Sequence, residues 1–320
     1  MFQGRQKHMK NIVVIGGGTG LSQILRGLKW VNDLDIVSVV TVTDDGGSSG
    51  IIRHDFEIPP PGDIRNNILA LAEKESLLTK LLDYRFNEGF LQNHNLGNII
   101  LLALTRLNNN NFPLSIKMLS DALKIRGKVF PASTDLIKLA AEFEDGEVVF
   151  GETSIVSKNK KIKRVWLDGT AEAFEESVLA IQNANLIILG PGSLYTSIIP
   201  NILVEGIREA VNVSKAKKIY ISNIMTQPGE TIGYTLKDHV EVLESYLGKK
   251  LDYIIVNDSK LPLNIQERYS QMEAEQVEID MDDERIIKSD LIYIINKEKP
   301  IVRHDPKKTS ELILKCLQLE

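Results

Sequence analysis

Short runs of unbroken apolar residues, each followed by a stretch with helical spacing, dominate the chain. Asn11–Ile15, Ile36–Val42, Leu186–Leu189, Lys218–Ser222, Tyr253–Val256 and Leu291–Ile295 are rich in valine and isoleucine and lack polar alternation. That pattern predicts strands buried on both faces. Helical spacing marks Leu21–Trp30, Ala171–Gln182, Ile202–Val213 and Leu236–Leu247. Strands alternating with helices predict an α/β fold with a doubly wound, mostly parallel sheet and right-handed crossovers.

The middle of the chain breaks this rhythm. Residues 62–143 read mainly as helices, interrupted at Gly89, Gly97 and Pro113. Residues 147–167 read as a hairpin whose polar turn, Ser157–Lys161, joins two β-prone arms. A helical and hairpin insertion at about 62–167 is therefore expected inside one α/β domain spanning 10–320. Residues 1–9 read as a polar, disordered extension without a signal peptide's apolar core.

Composition narrows the classes of function. The 320 residues carry a formal net charge of −5, which disfavours a general nucleic-acid binder because phosphate contacts need a basic face. The single cysteine, Cys316, excludes an internal disulfide or a cysteine-based zinc site and reads as a small apolar residue on a helix. No apolar run approaches the ~20 residues a membrane helix requires. A cytoplasmic protein is expected.

The loops after the strands carry the chemistry. Gly16-Gly17-Gly18-Thr19-Gly20 follows the first strand and opens the first helix, where backbone N–H groups and the helix dipole face an anion. Leu21 stands where the dinucleotide fingerprint has its last glycine, and no Gly-Lys-Ser/Thr follows, so neither an NAD site nor a P-loop is indicated. A tight strand-to-helix turn is the plain alternative. Gly190-Pro191-Gly192-Ser193-Leu194-Tyr195-Thr196-Ser197 repeats the arrangement after a later strand. Two such loops on one sheet edge would converge at a switch point, where ligands bind.

Other loops supply candidate partners. Asp44 and Asp45 end the second strand; adjacent carboxylates suit a hydroxyl-rich group or Mg²⁺ rather than a bare phosphate, unless they form a solvated turn. Asp63 is placed to cap the helix after Pro59-Pro60-Pro61, with Arg65 and Asn66 facing the crevice. His94 and Asn98 lie in another polar loop, His94 as a phosphate donor, an acid–base group or a structural hydrogen-bonder. Asn223 and Thr226 belong to a loop able to read a base or sugar edge. Tyr269 could stack on a base and Arg303 pair with a phosphate, though surface roles fit equally. No zinc-protease, paired-cysteine or nucleophile-elbow motif is present.

In this order, GGGTG at 16–20, TDDGGSSG at 43–50, PPPGDIRN at 59–66, HNLGN at 94–98, GPGSLYTS at 190–197 and NIMTQPGET at 223–231 resemble the CofD/YvcK superfamily. The form GPGSLYTSIIPN is similar to its YvcK branch, the gluconeogenesis factors. The resemblance implies a Rossmann-like three-layer αβα fold, with phosphates held at Gly16–Gly20 and Gly190–Ser197. It implies that Asp44 and Asp45 handle substrate or metal, and that Tyr269 and Arg303 occupy positions linked to UDP-sugar binding. Asn66 and Asn98 fall inside matched motifs and join the ligand set.

The leading expectation is a regulator that binds a nucleotide-sugar of the UDP-N-acetylglucosamine type without a required cofactor. It would pass that state to a protein partner and serve cell shape and wall synthesis during gluconeogenic growth. The alternative from the other branch is a Mg²⁺-dependent 2-phospho-L-lactate transferase acting on a deazaflavin, with Asp44 and Asp45 at the metal. A homodimer is the commonest arrangement for such proteins.

Overall fold

The computed structural model describes residues 9–296 and 298–318; of the expected extension at 1–9, only Met9 lies within them. The strands are β1 (Lys10–Gly16), β2 (Leu34–Val40), β3 (Lys128–Pro131), β4 (Lys138–Phe143), β5 (Val148–Phe150), β6 (Ile162–Asp168), β7 (Leu186–Leu189), β8 (Lys217–Ile221), β9 (Tyr253–Asn257), β10 (Ile286–Ser289), β11 (Ile292–Ile295) and β12 (Ile301–His304). Seven of them form one parallel sheet in the order β10-β9-β8-β7-β1-β2-β3. The chain winds outward from β1 through β2 to β3, then returns to β7 on the other side of β1. The switch point lies between β1 and β7.

Side-chain alternation along the strands divides the core in two. Val13, Ile15, Val37, Val39, Ile187 and Leu189 face one side. Ile12, Val14, Ile36, Val40, Leu186 and Ile188 face the other. Both sides are covered, so the strands need no polar face. Over the second side lie α1 (Gly18–Leu28), α2 (Gly47–Phe56), α3 (Pro61–Leu71), α4 (Leu77–Asp83), α5 (Leu96–Leu107) and α6 (Phe112–Leu123), with all but α2 contributing buried side chains to it. Over the first lie α8 (Glu175–Gln182), α9 (Ile199–Leu203), α10 (Ile207–Val213) and α11 (Leu236–Leu247), joined by the short α7 (Glu152–Ser157). Helix α12 (Leu263–Ser270) packs with the C-terminal strands, and α13 (Pro306–Gln318) returns to the second side, where Cys316 is buried. The result is the three-layer αβα fold expected. No helix among the described residues is long and apolar enough to cross a membrane.

Three expectations are corrected. Residues 147–167 are not a hairpin: β5 and β6 both pair antiparallel with β4, in the order β5-β4-β6. Gly151, at φ +91°, turns the chain after β5, and 152–157 wind into α7. The β-branched residues there pointed to strand, and the pairing with β4 decided otherwise. The helical zone ends at Leu123 rather than 143, and β3 joins the main sheet beside β2. Finally, Leu291–Ile295 does not enter that sheet. Strand β10 fills the edge, and β11 pairs with β12 in a separate antiparallel ribbon whose residues Tyr293, Ile294 and Ile295 are exposed.

Candidate functional site

The two glycine turns touch at the switch point. Gly16 ends β1, and its carbonyl accepts the Thr41 N–H and the Asn201 side-chain amide; the same amide also donates to Ser197 O at 2.7 Å. A Cβ on Gly20 would sit 2.7 Å from the Pro191 carbonyl oxygen, and one on Gly17 would sit 2.7 Å from an Asp63 carboxylate oxygen and 2.8 Å from the Thr41 methyl. Only glycine lets the turns close to this distance. Leu21, which breaks the dinucleotide fingerprint, is fully buried beneath the turn. The second turn leads into a single π-helical turn, Leu194–Ile198, an irregularity that often marks functional positions.

A cleft of about 360 Å³ opens over these turns. Its near wall is Gly17–Gly20, Pro191–Ser193 and Ser197; its floor is the 223–228 segment after β8; its far wall is Tyr269, Met272, Val302, Arg303 and His304. Asn223 and Thr226 line it too, but their polar groups are engaged. Asn223 Oδ1 accepts the Gly192 N–H at 3.1 Å while its Nδ2 donates to Gly192 O at 2.9 Å, clamping the second glycine turn. Thr226 Oγ1 accepts the Glu275 N–H. The Tyr269 hydroxyl accepts the Val302 N–H at 2.9 Å, tying α12 to β12. Arg303 donates to the Val302 carbonyl at 3.0 Å.

The remaining predicted residues form a neighbouring polar cluster. Arg65 is buried and donates to Asn98 Oδ1 and Asn66 Oδ1, so it and Asn66 do not line the cleft. Ser48 Oγ accepts from Asn95 N–H and the Asn98 amide and lies 3.3 Å from His94 Nδ1. These contacts draw three motif segments into one scaffold and engage His94 and Asn98 there. Gly190 opens the second turn at φ +75°, and Thr196 is buried with its hydroxyl donating to Glu230, so neither lines the cleft.

Protein carboxylates sit at helix starts around the switch point, a feature that sequence reasoning missed. Asp63 does not cap its own helix, whose N-terminal flank is Pro60; its Oδ2 accepts the Gly18 N–H at 2.7 Å, at the start of α1. Asp45 Oδ1 accepts both the N–H and the hydroxyl of Thr153 at 2.8 Å, at the start of α7. Glu230 accepts the Tyr195 N–H and the Thr196 hydroxyl, at the second turn. Unpaired first-turn N–H groups and the helix dipole favour such anions.

Crowding raises the pKa of several of these acids. Burial, then the Asp44 charge, pushes Asp63 up to about 7. Burial also raises Asp44, Glu152 and Glu230, and for Glu152 the charges of Asp44, Glu230 and Asp63 add to it. Asp44 Oδ1 accepts the Gly46 N–H at 2.9 Å, so Asp44 and Asp45 are turned to different partners. Asp45 holds the Thr153 cap through Oδ1 alone, so an ion at its Oδ2 would leave that cap in place. Among the described residues, no three His, Cys, Asp or Glu side chains are grouped to hold a metal ion.

A family model described as 2-phospho-L-lactate transferase CofD matches residues 12–298. The chain belongs to the CofD family. Within that family it is 48% identical over 307 residues to a putative gluconeogenesis factor of Thermotoga maritima, covering 94% of this chain and 98% of that protein. It is 45% identical over 314 residues to the gluconeogenesis factor of Bacillus subtilis, covering 96% and 98%. A crystal structure of a UPF0052-family protein from Bacillus halodurans superposes with a TM-score of 0.90 at 43% identity, covering 96% of this chain and 99% of that one. The CofD-family chain is thus similar along nearly its whole length to proteins named as gluconeogenesis factors.

Proposed function

We propose that the cleft binds a nucleotide-sugar of the UDP-N-acetylglucosamine type and that the chain acts as a cytoplasmic regulator of carbon use, serving cell shape and wall synthesis during gluconeogenic growth. The observation that carries this reading is the cleft's polarity from end to end. Glycine turns and helix starts form one wall, where phosphate oxygens find backbone N–H groups. Tyr269, Met272 and Val302 form the other, with the Arg303 guanidinium beside them, suited to a base face and its polar edge. The relatives named as gluconeogenesis factors support placing the chain with them. In this reading the ligand shifts the population of a state that a protein partner recognises.

The test is a thermal melt with UDP-N-acetylglucosamine, because a ligand that binds only the folded chain stabilises it by RT ln(1 + [L]/Kd). A rise in melting temperature is expected at millimolar ligand. No rise, with GDP raising the melt instead, would overturn it.

The family model's description, with the Asp44 and Asp63 side chains near the first glycine turn, favours one second reading, a Mg²⁺-dependent 2-phospho-L-lactate transferase. Incubation with Mg²⁺, a deazaflavin and a guanosine diphosphate-activated phospholactate decides it. Formation of the phospholactyl product would establish the transferase.

A further inference from the structure

His304 stands at the end of β12, opposite Ile292 in the ribbon, and lines the far wall of the cleft. It is 5% exposed. Its Nε2 lies 3.0 Å from the Ser222 carbonyl oxygen, after β8. A carbonyl only accepts, so Nε2 carries the hydrogen. Burial lowers the ring's pKa to about 4, which keeps it neutral at physiological pH. A neutral ring protonated at Nε2 has a bare lone pair on Nδ1. Among the described residues Nδ1 has no protein partner, and it is not one of the fully buried unpaired polar atoms. It therefore opens onto the cleft.

Resting on the nucleotide reading above, we infer that His304 is a specificity-determining acceptor, whose Nδ1 takes the ring N–H of a base that carries such a hydrogen beside a carbonyl. Uracil and guanine have this edge. Cytosine and adenine present a bare ring nitrogen there, which would set lone pair against lone pair. Arg303 lies next in the chain on the same wall and supplies donors for the adjacent carbonyl. The Ser222 carbonyl fixes the arrangement by holding one tautomer, so the site cannot offer a donor in place of the acceptor without breaking the link between β12 and β8.

The experiment compares UDP, GDP, CDP and ADP by calorimetry, and follows the His304 ring nitrogens by ¹⁵N NMR during each titration. UDP or GDP is expected to bind roughly tenfold or more tighter than CDP or ADP, the effect of leaving buried polar groups unpaired. The Nδ1 signal is expected to move with the favoured nucleotide while Nε2 stays protonated. His304→Gln, which keeps a terminal N–H for Ser222, is expected to collapse the preference. Equal binding of all four with an unmoved Nδ1 signal would overturn the role of His304 and leave the nucleotide reading standing. Binding of none would overturn both. The NMR titration uses the unaltered chain and stands if the variant fails to fold.

Discussion

Replacing Asp63 with asparagine separates a charge from a hydrogen bond. The carboxylate ionises near pH 7 in the folded chain against an ordinary value of 3.8. For an acid with a raised folded pKa, folding favours the protonated form. Its contribution is fully present below pH 3.8 and is lost as pH rises through about 7. At 1.36 kcal/mol per pK unit, the difference between about 7 and 3.8 sets a ceiling of about 4 kcal/mol. Asp63 is only partly buried, and screening and relaxation reduce that to an expected ~1–2 kcal/mol. Asparagine keeps an oxygen for the Gly18 N–H but cannot ionise. Asp63→Asn is therefore expected to match the parent at about pH 3.8 and below, to gain on it as pH rises, and to be ~1–2 kcal/mol more stable near pH 8. Urea unfolding at intervals between these values measures it. Parallel pH profiles for parent and variant would refute the reasoning, since they would mean that Asp63 ionises alike in folded and unfolded chains.

Three further outcomes follow from the same geometry. Gly20→Ala places a methyl against the Pro191 backbone at 2.7 Å; despite alanine's better helix propensity, a net loss of ~1–2 kcal/mol is expected, with weaker ligand binding, both read by thermal melts with and without nucleotide. Asn223→Ala leaves the Gly192 N–H and C=O without their clamp, costing ~1–3 kcal/mol by chemical denaturation and loosening the second glycine turn. Asp45→Ala removes the acceptor at the start of α7 and is expected to cost ~1 kcal/mol whether or not Mg²⁺ is present; a cost that appears only with Mg²⁺ would contradict the capping role.

Much of the fold was legible in the chain because its central strands are covered on both sides. Leu186–Leu189 has the bounds its unbroken apolar run predicts, and Leu236–Leu247 matches its helical spacing, with Thr235 and Asp238 capping one end and Gly248 the other. Strands β3 and β10 mix Lys128 and Pro131, or Lys288 and Ser289, with apolar residues, so no unbroken apolar run marks them; only their neighbours hold them in the sheet. At the site, strand-turn-helix grammar located both glycine turns. The carboxylates at the helix starts were hidden because each partner is remote: Asp63 lies 45 residues from Gly18, Asp45 lies 108 from Thr153 and Glu230 lies 35 from Tyr195. His304 was overlooked because a lone histidine carries no local signal; its orientation comes from a carbonyl 82 residues earlier.

Placing the switch point between β1 and β7 also sets a schedule. A ribosome releases the first glycine turn early, beside β2, but the turn that closes against it follows β7, and the wall opposite both waits for α12 and β12. The nascent chain must hold an apolar strand edge at β1 open while the segments in between are made, the kind of long-range pairing that slows folding. Ligand affinity is then a property of the finished product: a chain halted before β12 would carry both glycine turns and no surface facing them.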